Sequence, residues 1–573
     1  MFRLARFLKP YRKQAIVGPV FKLIEAILEL IVPLVMARVI DIGVIGKNPD
    51  YIWRNGLLML GLCIAGLLSA LVCQYSASVA SQGFGTLLRN ALFKKIGTLS
   101  YRQLDKFGTP SLINRVTNDV NQLQFAVAML IRLVIRAPFL CIGSLIIAMT
   151  IDFQLALIML GVILVFTVVL YWVMAKSVPL YRIVQKELDG IALMLREALS
   201  GMRVIRAFGQ EQEQKRRFGQ ANEQHADTVV RVGKIAALMN PLTLFIMNMG
   251  IIAVLWFGGI RVDSGEMSVG SVVAFISYIA SILMAMIVVA NLVVTFTKAA
   301  AASTRVGEVL DMPVDLEDGS GAEPTEAAPV VAFRSVSFAY ESGGEEVLTD
   351  IDFSLGRGEM LGIIGGTGSG KSTLVQLIPR FYEVSAGAVL FCGADVCDYK
   401  KHELLQHIAL VPQEAVLFSG TIADNLRYGK QDATQEEMRI SARAAQIDRM
   451  IDDLPRGYDA PVTPNGLNFS GGQRQRLCIA RALVRKPSLL ILDDSFSALD
   501  ALTASALRKA LREDYKGMTT ISISQQVAAV MHCDRILVLD DGVMVDIGSH
   551  EQLFASCDLY RELCALQLEE AGA

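Results

Sequence analysis

Charge is scarce in this 573-residue sequence and nearly balanced. Asp, Glu, Lys and Arg make up 19% of it, and 54 basic against 56 acidic residues leave a formal net charge of −2. That balance excludes the one-signed field by which a whole chain attracts nucleic acid, so no nucleic-acid partner is expected and basic residues must act in local clusters. Cysteine is present but unorganised. Its nine copies contain no C-x-x-C pair and six of them lie beyond residue 390, which excludes a disulfide framework and a thiolate zinc site and fits a reduced, cytosolic setting for that half. A removable leader is not expected either. The basic start Met1, Phe2, Arg3, Leu4, Ala5, Arg6 runs into a hydrophobic segment too long for a signal peptide and without a small-residue cleavage site, so that segment is expected to stay in the mature chain.

What the chain has in excess is apolar side chains, 53% of all residues, concentrated before residue 302. Its length calls for two or more domains. Residues 2–14 interleave Arg3, Arg6, Lys9, Arg12 and Lys13 with Phe2, Leu4, Phe7, Leu8 and Tyr11, the pattern of a short amphipathic helix on a membrane surface or of a plain positive flank. Six apolar stretches follow, at 16–44, 57–79, 127–150, 155–173, 236–259 and 269–296, each long enough to cross a hydrocarbon layer that needs about 20 residues. Lys94, Lys95, Arg102, Lys106 and Arg115 lie between the second and third, and Lys176, Arg182, Arg196, Arg203, Arg206, Lys215, Arg216 and Arg217 between the fourth and fifth. The opposite connections hold only Lys47, Arg54 and Arg261, so the basic segments and both termini are expected in the cytoplasm of a multi-pass protein of the cell membrane. Those two long connections keep a helical pattern, which predicts helices continuing well below the membrane to turns near 107–115 and 204–211.

Ionisable residues inside the spans carry their own expectation, because a charge in lipid costs several kcal/mol. Glu25 and Glu29 stand one turn apart, as do Arg132 and Arg136, so each pair shares a helix face. Two readings stay open: a cavity for polar or charged cargo, with Asn248 and Asn291 as weaker candidates, or glutamate–arginine pairs that fix helix packing.

Residues 311–329 are acidic, rich in Pro, Gly and Ala, and read as a linker between a membrane domain at 1–310 and a second domain at 330–573. In the latter, short β-branched runs alternate with helical patterns, the signature of an α/β domain around a mainly parallel sheet. Directly after the apolar run 360–364 come Gly365, Gly366, Thr367, Gly368, Ser369, Gly370, Lys371, Ser372 and Thr373. This G-x-x-x-x-G-K-S pattern is a phosphate-binding loop: backbone N–H groups turn around a triphosphate, Lys371 reaches the terminal phosphates, and the Ser372 hydroxyl can ligate Mg²⁺. ATP and Mg²⁺ are therefore the expected cofactors. The run 489–493 ends in Asp493, placed to hold Mg²⁺ through water. Residues 468–476 form a small-residue turn opening a helix, suited to a further phosphate contact.

Together these elements resemble the ATP-binding cassette transporters. The resemblance implies that Tyr340 stacks on adenine, that Gln413 is the lid glutamine near Mg²⁺, that Ser470, Gly471, Gly472 and Gln473 are the signature motif, and that Ser497 to Asp500 form the loop that contacts a second cassette. Six spans fused ahead of the cassette resemble an exporter-type half-transporter across nearly all 573 residues: an α-helical six-span transmembrane domain with long cytoplasmic helix extensions, followed by an α/β P-loop ATP-binding cassette domain. The two turns then look like coupling helices. The family works as two halves, each nucleotide lying between one half's phosphate loop and the other's signature. Three departures stand out. Asp494 occupies the position of the glutamate that polarises water, Gln525 that of the switch histidine, and Pro464 that of a glutamate preceding the signature. The combination resembles the degenerate-site subunit of a heterodimeric multidrug exporter, whose partner is a non-identical half and whose cargo is amphipathic, such as drugs or lipids. A homodimer with slower chemistry, a lipid flippase, a siderophore importer and a nucleotide-gated channel or sensor remain as alternatives. A protease-linked peptide exporter is disfavoured, since no cytosolic domain precedes residue 2.

Overall fold

The computed structural model describes residues 2–313, 315, 318–325, 327–340 and 343–572, so the expected linker lies partly outside the described residues. The chain divides into two compact units. One comprises Met1–Gly97 and Thr109–Met312, the other Thr98–Gly108 and Pro313–Ala573.

The first unit is helical throughout. A 3₁₀ segment, Phe2–Tyr11, leads into α1 (Arg12–Arg38), which loosens into a π turn over Val39–Ile45 before α2 (Pro49–Ile96). Among the described residues, five helical stretches are long and apolar enough to cross a membrane: Pro49–Ile96, Thr109–Ile151, Phe153–Ser200, Glu211–Asp263 and Val269–Leu310. The expected count of six is thus reduced to five on this criterion. The stretch 16–44 is helical, but Lys22, Glu25 and Glu29 fall close together within it, and its apolar character is diluted accordingly. The helices are longer than a bilayer crossing needs. Forty-eight residues of α2 span about 72 Å at the helical rise, against a hydrocarbon core of about 30 Å.

The remaining helices of this unit are α4 (Thr109–Asn114), α5 (Val120–Arg132), α6 (Arg136–Ile151), α7 (Phe153–Ser200), α8 (Met202–Ala207), α9 (Glu211–Ala237), α10 (Met239–Asp263) and α11 (Val269–Leu310). Small side chains let them pack closely: Ala26, Ala137, Ala148, Ala156 and Ala274 are all buried in the core they share. Near the C-terminal end of α11 an ion-pair network ties it to the π turn Arg115–Asp119. Arg305 grips the buried Asp119 carboxylate through Nε at 2.8 Å and Nη2 at 2.5 Å, while Arg115 bonds the Arg305 carbonyl at 2.5 Å and Glu308 at 2.9 Å.

The second unit holds the sheets. β1 (Val331–Phe338), β2 (Leu348–Leu355), β4 (Ala386–Phe391) and β5 (Ala394–Asp395) form a four-stranded antiparallel sheet in the order β2-β1-β4-β5. β3 (Met360–Ile364), β6 (Ile408–Val411), β9 (Leu489–Asp493), β10 (Thr519–Ile523), β11 (Arg535–Asp540) and β12 (Val543–Gly548) form a six-stranded sheet in the order β12-β11-β3-β10-β9-β6, parallel except for the β12 edge. The short pair β7 (Gly420–Thr421) and β8 (Pro461–Val462) lies outside both. β3, β9 and β10 are buried on both faces, as the apolar runs of β3 and β9 require; β10 is buried with them although Thr519, Thr520 and Ser522 interrupt its apolar residues.

A membrane-domain segment belongs to this second unit. The expected turn at 107–115 does not fall where the glycine and proline suggested. The packed piece is Thr98–Gly108, centred on α3 (Tyr101–Phe107). A Ser100–Gln103 capping box starts α3 and Gly108, at φ 71°, ends it. Tyr101 stacks on Phe381 with ring centroids 4.4 Å apart, and the Tyr382 hydroxyl donates to Asp105 at 2.9 Å. The second turn is the short α8, followed by Gly209 at φ 63°.

Removing Arg305 leaves the Asp119 carboxylate buried and unpaired. Arg305→Met is expected to cost about 3 kcal/mol, and Asp119→Asn distinctly less because no buried charge is stranded. Thermal unfolding of the two variants checks this; equal losses would show that the pair contributes no more than packing.

Candidate functional site

The parallel order brings three strand ends level, since Ile523 of β10 pairs with Ile363 of β3 on one side and Asp493 of β9 on the other. Between β3 and the helix Lys371–Leu377 the chain turns through Gly368 at φ 87° and Gly370 at φ 92°, values that favour glycine. A Cβ at Gly366 or Gly368 would meet nothing within 4 Å, whereas at Gly370 it would strike Leu348. The loop is thus packed from behind and open in front, as a backbone cradle for phosphate must be.

A cavity of about 260 Å³ opens there, lined by Thr367, Gly368, Gly370, Lys371, Ser372 and Thr373 from the loop and by Gln413, Asp493, Asp494, Ser524 and Gln525 from other strand ends. Lys371 is buried, and its Nζ donates to the carbonyls of Gly365 at 2.9 Å and Gly366 at 2.5 Å and to Ser369 Oγ at 3.2 Å. Burial pushes its pKa down, against the pull of Asp494 and Asp493. The Ser372 hydroxyl donates to Asp493 at 3.0 Å. Burial raises the Asp493 pKa, its neighbour Asp494 adds to the rise, and the Ser372 bond and Lys371 oppose it. Asp494 is raised too, chiefly by burial and against the hydroxyls of Ser524 and Ser497 and the charge of Lys371. Its backbone sits at φ 46°, a conformation Asp tolerates better than most residues, and its Oδ1 accepts from Ser524 at 3.4 Å. Gln525 accepts from the Thr367 hydroxyl at 3.3 Å.

These groups fit a magnesium–triphosphate. The open glycines offer N–H donors, Lys371 offers a cation already desolvated, and Ser372, Asp493 and Gln413 offer hard oxygen ligands on one side. Among the described residues no cluster of three or more His, Cys, Asp or Glu could hold a metal unaided, which suits an ion that shares its shell with phosphate oxygens and water.

Tyr340 is 39% exposed, wedged edge-on between Phe338 and Tyr382 with centroids at 5.0 and 5.2 Å, and its hydroxyl shares a 2.9 Å hydrogen bond with Thr373. Ser470, Gly471, Gly472 and Gln473 do not line this cavity. Ser470 caps the helix Gly471–Leu483 in a reciprocal box with Gln473, and Gly471 has open space around it. Asp500 caps the helix Ala501–Asp514, and the backbone bond from Thr503, followed by its hydroxyl, lowers its pKa. Ser524 and Val347 were not singled out from the sequence. Ser524 stands beside Gln525 in the same motif, whereas Val347 reaches the cavity through folding alone.

In the membrane domain, Arg136 pairs with Glu29 at 2.7 Å and lies 4.0 Å from Glu25, which Lys22 also binds at 2.7 Å. Arg132 instead donates to Ser78 at 3.1 Å, and its Nε is buried without a hydrogen-bond partner. Asn248 and Asn291 are exposed and join no such network. The break between α5 and α6 opens a pocket of about 620 Å³ lined by Val134, Pro138, Val289, Leu292, Phe296 and Ala300, among others, and almost wholly apolar.

Residues 15–286 match the family model described as the ABC transporter transmembrane region, and residues 348–497 match the model described as ABC transporter. This chain belongs to the ABC transporter family, as a half-transporter that joins one membrane region to one ATP-hydrolysing cassette. It is similar to an uncharacterized ABC transporter ATP-binding protein of Mycobacterium tuberculosis (strain CDC 1551 / Oshkosh), at 39% identity over 98% of this chain and 97% of that one. It is also similar to an ATP-dependent lipid A-core flippase of Chromobacterium violaceum, at 32% identity over 100% of this chain and 98% of the relative. Among solved structures, a bacterial Atm1-family ABC exporter with ATP bound shares its fold with a TM-score of 0.81, at 24% identity over 97% of this chain and 98% of that one.

Because burial disfavours the ionised Asp493 in the folded chain, its carboxylate lowers stability above the ordinary carboxylate range and not below it. Asp493→Asn in the nucleotide-free protein is therefore expected to unfold at a higher temperature than wild type at neutral pH. The difference should close below about pH 4. A variant less stable at neutral pH would show that the carboxylate is held by more than Ser372.

Proposed function

We propose that this chain is one half of a heterodimeric, ATP-driven exporter of amphipathic compounds in the cell membrane, with α1 as a sixth span and both termini in the cytoplasm. The observation that carries the proposal is the contrast within one cavity. The groups that would hold ATP and Mg²⁺ (Lys371, Ser372, Gln413 and Asp493) converge there, while the two positions that would drive hydrolysis hold Asp494 and Gln525. Bound Mg²⁺ would supply charge neutralisation of the phosphates. Asp494 ends one methylene short of a glutamate, about 1.3 Å withdrawn, and errors near 1 Å cost on the order of a hundredfold in rate. Its Oδ1 is moreover engaged by Ser524. Gln525 donates and accepts hydrogen bonds but cannot become cationic beside a γ-phosphate. This half thus grips ATP and turns it over slowly.

The other contribution is made in trans. Ser470, Gly471 and Gly472 lie outside this chain's own phosphate cavity, and their capped helix start, open at Gly471, presents N–H donors to a nucleotide held by a non-identical partner half. Closure on nucleotide favours one state of the membrane helices and hydrolysis at the partner's site restores the other, so energy enters as a difference in affinity between states.

For the cargo, an apolar pocket is lined by Val134 and Pro138, neighbours in sequence of Arg132 and Arg136, each of which has a buried Nε without a hydrogen-bond partner. An apolar wall next to a cation suits a lipid with an anionic head, and relatives named lipid A-core flippases support lipid among the amphipathic cargoes. Glu29, already paired with Arg136, serves packing on this reading.

In the assembled pair, Asp494→Asn is expected to change ATPase by no more than about twofold, whereas removing the corresponding acid of the partner lowers it by about a hundredfold or more. Equal losses would remove the asymmetric-site proposal. Reconstituted vesicles test the pump itself: lipid or dye should accumulate against its gradient with ATP, and movement only down the gradient would make the protein a gated channel.

A further inference from the structure

A second cavity lies on the opposite side of the strands that carry the catalytic positions. It measures about 290 Å³ and lies between the helix Ala501–Asp514, the helix Val527–Val530 and the ends of β9 and β10, at the lower end of small-molecule pockets. Its floor is apolar and buried, made by Leu492, Phe496 and Ala529. Set into that floor is the hydroxyl of Ser522, whose residue is 2% exposed and whose Oγ has no hydrogen-bond partner. A buried polar atom left unpaired is costly, and a ligand accepting or donating there would recover that cost.

The rim is basic. Arg508, Lys509 and Arg512 line it, against the single carboxylate of Glu513 and with His532 neutral at its ordinary charge state. Arg508 lies over the Phe496 ring, 5.6 Å from its centroid. Arg512 donates to the His532 carbonyl, contacts Met360 Sδ at 3.4 Å and is 3.7 Å from Asp534, which offsets part of its charge. A cationic mouth over an apolar floor with one hydroxyl describes the negative of a small organic anion: a carboxylate at the rim and a short aliphatic or aromatic body inside.

The two cavities share a wall. Leu492 faces this one while its neighbour Asp493 lines the nucleotide cavity; Ser522 faces this one while Ile523, Ser524 and Gln525 line the other. Phe496 follows Asp494 by two residues. A body wedged against Leu492, Phe496 and Ser522 therefore presses on the same strand ends that aim Asp494 and Gln525. The geometry points to a modulatory site for a small, apolar-bodied carboxylate, coupled through β9 and β10 to nucleotide binding. Such coupling is reciprocal: the carboxylate changes ATP affinity by the factor by which ATP changes its own.

Calorimetric titration of the full-length protein in nanodiscs with benzoate tests the site, with benzyl alcohol as the uncharged control. Benzoate should bind saturably and benzyl alcohol much more weakly. Arg508→Gln should weaken benzoate by about tenfold, and saturating benzoate should shift ATP affinity by about fivefold. If Arg508→Gln does not fold, Lys509→Gln, at an exposed position, must show the weakening instead. No saturable benzoate binding, equal binding of benzyl alcohol, unchanged binding in the folded variant, or an ATP affinity indifferent to benzoate would each overturn the assignment. These readouts need neither transport nor hydrolysis, so they stand apart from the asymmetric-site proposal.

Discussion

One buried ammonium facing a buried and a half-buried carboxylate sets the terms of the cassette. Lys371 is drawn back onto the carbonyls of its own loop, Asp493 holds the Ser372 hydroxyl, and Asp494 sits one residue further on in a left-handed backbone conformation. Burial disfavours the charge on all three; Lys371 and the carboxylates partly relieve one another, while Asp494 adds to the burden on Asp493. Such an arrangement is poorly solvated by itself and well matched to a ligand that brings both signs, a polyphosphate with its divalent cation. The parallel sheet exists around this requirement, because only level strand ends at β3, β10 and β9 put a loop lysine and two strand-end acids within reach of each other.

Much of this was legible in the sequence because the chemistry is local. The phosphate loop is contiguous, its glycines precede a helix, and Ser470 stands three residues before Gln473, the spacing of the capping box that the structure forms. The apolar stretches were legible by length. What the sequence did not carry was contact made at a distance. The segment that packs in the cassette unit is Thr98–Gly108, and nothing around Tyr101 announces that its ring will stack on Phe381 some 280 residues later. The break at Gly108 was visible, but glycine marks where a helix stops and not which side of the stop is docked. The stretch 16–44, expected from the sequence as a span, is not among the five helices apolar enough to cross; its charges are paired in the folded state, Lys22 with Glu25 and Arg136 with Glu29. Arg132 and Arg136, alike in sequence, part company in the structure, one on Ser78 and one on Glu29.

The proposed functional asymmetry rests on the same separation of local and distant features. Binding groups and the signature helix are each complete by themselves, so substitution at Asp494 and Gln525 leaves them standing. On the proposed reading, a chain built this way holds nucleotide well, offers its signature to another subunit, and depends on that subunit for fast chemistry. The dependence is what makes a single composition measurement decisive. Native mass spectrometry of the tagged chain extracted gently from its own membrane is expected to show one copy bound to one copy of a different half-transporter. A complex of two identical copies that hydrolyses ATP rapidly unaided would contradict it.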